Sequence, residues 1–179
     1  TGKKKILDKS IAVLPLEYLS EDPKKEYLAN GVLDAIIGNL SMIEGLRVMP
    51  RTSVEQYWEN KKSAKEIGDE LNVSYLIEGS FQMVKDQVKL IIQLVLAEEE
   101  DHILFKEYDR DYKDIFNVQS EVAQTIAKEI EAVITPEQKH RIERKPTTSL
   151  TAYDFYLRGV EEHQRHWLKW NDIGTVERA

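Results

Sequence analysis

Arg51-Thr52-Ser53 is the first cluster in this chain whose side chains could grip a charged ligand. A guanidinium is a rigid fork of donors suited to a carboxylate or phosphate, and backbone N–H groups at a helix start would add to it. The run follows a predicted second strand, and parallel α/β sheets place ligands beyond the carboxyl ends of their strands. Glu17 and the Ser20-Glu21-Asp22 loop, which follow the first strand, would face the same crevice. The competing expectation is structural: Arg51 pairs with one of those acids, and Thr52 or Ser53 merely caps a short helix.

Other groups have suitable residue types without suitable surroundings. Tyr108-Asp-Arg-Asp111 sets carboxylates around an arginine, as acid/base machinery would, but no nucleophile or base is fixed beside it. A salt-bridged strand end accounts for it. Glu162, His163 and His166 put two imidazoles about one helical turn apart, whereas zinc wants three or four ligands, so a solvated helix face is expected. In Glu78-Gly79-Ser80 a mid-strand glycine is better explained by a bulge or a covering aromatic than by room for a ligand. His102 and His140 stand alone in polar turns. No serine sits in a G-x-S-x-G elbow, and without cysteine there is neither a thiolate nucleophile nor a disulfide. The expectation is a protein without catalytic residues, metal or cofactor, and not an enzyme.

Composition narrows the class further. The 179 residues suffice for one domain with a small appendage, and 41% apolar with 32% charged residues is a globular balance. A net charge of −7 argues against direct nucleic-acid binding. Lys3-Lys4-Lys5 and Lys24-Lys25 are too short, and too flanked by acids, to reverse that. No apolar run reaches the roughly 20 residues of a membrane span. Lys3-Lys4-Lys5 reads as a solvated terminus rather than a juxtamembrane tail, and the compartment stays open.

The elements that must position these groups follow from periodicity. Ser10-Ile-Ala-Val-Leu-Pro-Leu16 is a nearly continuous apolar run, as in a strand covered on both faces, with Pro15 limiting its length. A helix opens at Asp22-Pro23 and carries Leu28, Val32, Ile36, Leu40 and Ile43 at helical spacing. Gly31, Ala35, Gly38 and Met42 form a second, mostly small stripe, expected to let the helix sit close on a sheet. Leu46 to Pro50 is a second short strand. Ser63 and Glu66 form a capping box for a helix ending at Asn72, a plausible left-handed terminator. Alternation then gives three antiparallel strands with one wet face, from Val73, Val88 and Ile103. Asp114 or Asn117 starts a long helix with the stripe Val118, Val122, Ile126, Ile130 and Val133, and Thr135-Pro-Glu-Gln138 is a second capping box. The order β-α-β-α-β-β-β-α specifies an α/β fold, a mixed sheet with a parallel β-α-β start and an antiparallel meander, packed with helices.

Lys145-Pro146-Thr-Thr-Ser149 is the clearest boundary, dividing an α/β domain over residues 9–145 from a helical segment over 146–179. That segment is expected to open a helix-turn-helix repeat that stops inside its second helix. Such a unit cannot bury its apolar face alone, so the chain reads as a module excised from a longer protein. Tyr153, Tyr156, Leu157, Trp167 and Trp170 form an aromatic-rich face, expected to await a neighbouring helix or to drive homodimerisation.

Five runs carry a family resemblance in the family's own order: Ser10-Ile-Ala-Val-Leu-Pro15, Glu26-Tyr-Leu-Ala-Asn-Gly31, Gly45 to Ser53, Tyr75-Leu-Ile-Glu-Gly-Ser80 and Tyr108-Asp-Arg-Asp111. Over roughly residues 9–179 the chain resembles the TolB amino-terminal-like domain of bacterial signalling proteins. Ala152-Tyr-Asp-Phe-Tyr-Leu-Arg-Gly159 looks like the opening of the tetratricopeptide repeats that follow that domain in the family. The resemblance implies attachment to helix-turn-helix regulators or to adenylate and guanylate cyclases, with a membrane tether upstream of residue 1 in some arrangements. It implies a sensory or scaffolding part rather than the output domain, since neither a cyclase's metal-binding aspartate motif nor a DNA-reading helix is recognisable.

The leading functional expectation is therefore a non-enzymatic sensory or protein-interaction module that binds protein or peptide partners through the repeat segment, at Tyr153, Tyr156, Trp167 and Trp170. The alternatives are a sensor for an anionic or nucleotide-like ligand at Arg51, Thr52, Ser53 and Glu17, and the regulatory part of a cyclase.

Overall fold

Ser10–Val13 (β1) is buried at all four positions because its side chains serve two cores. Ile11 and Val13 turn to one face of the sheet, and Ala12, with Leu14 just beyond, turns to the other. That double burial is what a continuous apolar strand requires. The structure, a computed structural model, describes residues 8–176, with side chains to His166. The Lys3-Lys4-Lys5 run lies outside the described residues.

β1 pairs in parallel with Arg47–Val48 (β3) on one side and with Tyr75–Val84 (β4) on the other. The strand ends before Pro15, which has no N–H to donate. The chain resumes as Glu17–Tyr18 (β2), a two-residue strand also parallel to β4 and too short to show any periodicity. Gln87–Leu96 (β5) and Asp101–Asp111 (β6) add an antiparallel meander, giving the order β3-β1-β4-β5-β6 in a mixed, six-stranded sheet. The α/β class and the mixed sheet are those the sequence specifies.

Helices cover the sheet unequally. Glu26–Ser41 (α1), Ile115–Glu129 (α4) and the first turns of Leu150–Val176 (α6) bury the larger core with Ile77, Phe81, Leu90 and Leu94. Arg51–Val54 (α2) and Ala64–Leu71 (α3) lie on the opposite face, where Val54, Tyr57 and Ile67 meet Leu76 and Val95. Pro136–Glu143 (α5) adds Ile142 to the larger core. Both capping boxes are formed: Ser63 Oγ accepts from Glu66 N at 3.2 Å and Thr135 Oγ1 from Gln138 N at 3.2 Å. Asn72 closes α3 in the left-handed region at φ 50°. Asp22 accepts from Lys24 N at 3.0 Å, so a 3₁₀ turn at Pro23–Lys25 leads into α1.

Several expectations are corrected by packing. The small stripe of α1 faces another helix, not the sheet: a Cβ at Gly31 would lie 2.6 Å from Leu157 Cδ2 of α6, whereas one at Gly38 would meet nothing within 4 Å. Gly79 marks neither a bulge nor an aromatic cover. Its ladder with β5 is unbroken, and a Cβ there would fall 2.1 Å from the Ile91 carbonyl and 3.2 Å from Leu16. The one register shift lies at Leu94/Val95 against β6. Val133, past the end of α4, is exposed because the helix stops at Glu129. Pro50, rather than Thr52 or Ser53, occupies the cap of α2, and no side chain caps that helix. Where a helix-turn-helix is expected, α6 runs 27 residues without a turn.

Gly31 and Gly38 give opposite expectations on the same helix. Gly38→Ala relieves a helix-interior glycine in open space and should stabilise by about 0.5–1 kcal/mol. Gly31→Ala gains the same propensity but displaces Leu157, and should be net destabilising by about 1 kcal/mol. Denaturant unfolding of the two variants reads both signs, and equal stabilisation would contradict the α1–α6 contact.

Candidate functional site

Arg51 is held on three sides. Its Nη1 donates to Asp34 Oδ2 at 2.9 Å, its Nη2 to Asn30 Oδ1 at 3.0 Å and its Nε to Glu55 Oε1 at 3.0 Å. Asn30 and Asp34 sit one turn apart on α1, so the guanidinium clamps α1 to α2. The partners are thus not the acids after β1, and sequence spacing offers one hint of them, an amide and a carboxylate at i, i+4 in the middle of a largely apolar helix. Thr52 and Ser53 lie inside α2, a helix of only four residues.

Glu17 is brought to a different place from Arg51. It stands opposite Ser80 on β2 and lines a crevice of about 670 Å³ over the bare half of the sheet, with Glu78, Gln93, Lys61, Trp58 and Phe105 among the walls. Trp58 and Phe105 are well exposed there, and Glu17, Glu78 and Lys61 have no charged partner among the described residues. The crevice lies past the carboxyl end of β1, where a parallel strand pair is expected to leave room.

At one wall of this crevice, Tyr57 donates to Glu70 Oε2 at 2.8 Å, and Lys62 bridges to the same carboxylate. Burial, reinforced by the Glu70 hydrogen bond and charge, pushes the Tyr57 phenol up to about 12. The Lys62 and Tyr57 hydrogen bonds hold Glu70 below its ordinary value.

A second concavity, about 550 Å³, opens between α1, the α5–α6 link and α6. Ala35, Gly38 and Met42 form one wall, Ala152, Tyr156 and Val160 the other, and Arg141 and Arg144 stand at the α5 end. Tyr153 and Leu157 are not part of an orphaned face: each is 7% exposed and closes the larger core. Tyr153 packs edge-on against Phe116 at 4.8 Å and accepts from Gln119 Nε2 at 3.2 Å. Tyr156 and Phe155 are 64% and 67% exposed. The side chains of Trp167 and Trp170 lie outside the described residues. Near the start of α1, Tyr27 donates to Asp154 while Arg158 stacks over its ring at 5.5 Å and pairs with Asp154 at 2.9 Å, pinning α6 a second time.

The remaining candidates are structural. Asp111 pairs with Lys113 at 2.7 Å, so the strand end is salt-bridged, though not by Arg110. His166 lies 3.8 Å from Glu162, and among the described residues no three potential metal ligands converge. No helix among them is long and apolar enough to cross a membrane.

Residues 7–128 match the model of the second domain of HilA/YgeH-like transcriptional regulators. The chain belongs to that family. It is also 32% identical, over 168 residues, to the Rhizobium meliloti (strain 1021) protein named "Putative adenylate cyclase 3". That alignment takes in 94% of this chain but 28% of the relative, so the chain spans little more than a quarter of that protein. Among solved structures, TolB from Acinetobacter baumannii superposes with a TM-score of 0.50 at 13% identity, over 68% of this chain and 28% of TolB. Lipoprotein GNA1162 from Neisseria meningitidis gives 0.50 at 17%, over 66% and 96%. At those identities the likeness is one of fold, and the fold is TolB-like, as the sequence motifs imply. The family and the relative together make this a regulatory or signalling module.

The tyrosines give a pH dependence. Burial raises Tyr27, Tyr57, Tyr75, Tyr108, Tyr112 and Tyr153 above the ordinary phenol value. A raised folded value stabilises fully below the unfolded one, about pH 10, and that stability is lost as pH rises through the folded values. The thermal midpoint should therefore drop steeply from about pH 10 upward. Tyrosinate absorbance from these six phenols should appear together with unfolding rather than ahead of it. Ionisation of most phenols in a still-folded chain would contradict the burial.

Proposed function

We propose that this chain is a non-enzymatic module of a bacterial signalling regulator, and that it works by holding α6 in a fixed place on an α/β body. The observation that carries the reading is the anchorage of α6. Leu157 sits in the space left by Gly31, Tyr153 is buried on Phe116, and Asp154 and Arg158 grip Tyr27. Beyond these anchors the helix continues unbroken to Val176, about 40 Å from its start. A helix is stiff over that length, so a shift of the α/β body would move its far end.

In a longer protein of the relative's kind, α6 would lead into a tetratricopeptide-type array rather than form its first turn, with any cyclase or DNA-binding activity residing elsewhere. The partners of such an array are proteins or peptides. Arg51 supports the same reading rather than ligand sensing, because three acceptors already occupy its guanidinium.

The test is Leu157→Glu in the full-length regulator. Burying a carboxylate against α1 should release the start of α6, seen as fast hydrogen exchange over residues 150–160, while exchange in β4 and β5 stays slow. The regulator's output, promoter activity or cyclic nucleotide, should fall to the level of a variant lacking this module. Unchanged output with α6 released would refute the proposal. So would cyclic AMP formed from MgATP by the isolated chain.

A further inference from the structure

The groove beside α6 has a polarity that selects what it could hold. One wall continues the small stripe of α1 past the point where α6 leaves it: Gly31 is filled by Leu157, but Ala35, Gly38 and Met42 are not covered by any helix among the described residues. The opposite wall is the Tyr156 and Val160 face of α6. Small residues on one helix admit another helix closely, and a wall of larger apolar side chains gives that helix something to bury.

The charges sit at one end. Arg141 and Arg144 are exposed there, and neither has an acidic partner among the described residues, whereas Glu143 is engaged by Lys139 and Gln124. In a chain of net charge −7, two unpaired arginines together at the mouth of an apolar groove run against the overall sign. Asp34, at the other side, is neutralised by Arg51. A basic segment would meet uncompensated repulsion at this mouth, and an acidic one would meet complementary charge.

We infer that this groove docks an amphipathic helix of a partner protein, apolar along one stripe and carrying carboxylates beside it, with those carboxylates on Arg141 and Arg144. The inference rests on the reading of the chain as an interaction module and names its partner's chemistry.

Two synthetic helical peptides test it on the 179-residue chain. They share one leucine stripe and differ only in carrying glutamates or lysines at the flanking positions. Fluorescence anisotropy at low salt should show the glutamate peptide binding at least about tenfold more tightly, with the gap shrinking as salt is raised. Arg141→Glu with Arg144→Glu should reverse the preference. Gly38→Leu, placed in open space, should weaken both peptides by about tenfold or more while the circular dichroism is kept and the melting point does not fall. Absence of binding, equal binding of the two peptides, or binding indifferent to Gly38→Leu would each overturn the inference. A concentration-dependent dimer that Gly38→Leu returns to monomer would overturn it too, in favour of a second copy of the chain as occupant. These readouts do not involve the regulator's output. If they fail while Leu157→Glu still silences the intact protein, the groove is refuted and the module's role is not.

Discussion

Helix α1 has to bury more than one side, and most of the molecule is arranged around that demand. Leu28, Val32, Leu33, Ile36 and Leu40 lie in the core between it, the sheet and α4, while Gly31 takes Leu157 of α6 and Asn30 with Asp34 takes Arg51 of α2. An ordinary surface helix hides one stripe. Here sheet, helix and guanidinium claim three, and the stripe left over, Ala35, Gly38 and Met42, is one wall of the groove. The two glycines lower helix propensity, and the packing at Gly31 offsets that cost. Gly38 has no such compensation among the described residues, which is why it points to something beyond the fold.

The sheet is covered according to where its strands stop. Over β1 and the start of β4 both faces are dry, since Val54 of α2, Tyr57 of the 3₁₀ turn after it and Ile67 of α3 close the second face. Past Leu76 that cover ends, and the strands present Glu78, Ser80, Gln82, Lys89 and Gln93 to solvent. The β6 edge is kept from pairing onward by its charges, Lys106, Glu107, Asp109 and Arg110, a usual protection for an open strand. Charge therefore organises the wet side of the protein, and small residues organise the helical side.

A likeness of fold to TolB and to a meningococcal lipoprotein at under a fifth of identical residues carries the architecture and nothing of the binding chemistry. The second-domain match with HilA/YgeH-like regulators adds the setting, regulation, and stops at residue 128. The groove straddles that point: Ala35, Gly38 and Met42 of α1 lie within the match, whereas Arg141, Arg144, Tyr156 and Val160 belong to α5, its link and α6 beyond it.

Local chemistry was legible without coordinates. The two capping boxes, the left-handed Asn72, the proline-limited β1 and the alternation of β4 and β5 all follow from side chains interacting with backbone a few residues away, and such interactions are written in consecutive positions. Long-range choices were not. The sequence shows a small stripe on α1 but not whether a sheet or α6 lies against it. It shows Arg51 after a strand, but not that Asn30 and Asp34 would reach it before Glu17. It shows aromatics at Tyr153 and Tyr156, but only the crossing of α1 and α6 puts the first in the core and leaves the second outside. Each of these is decided by which surfaces meet once apolar area is buried, a property of the whole packed chain and not of any segment of it.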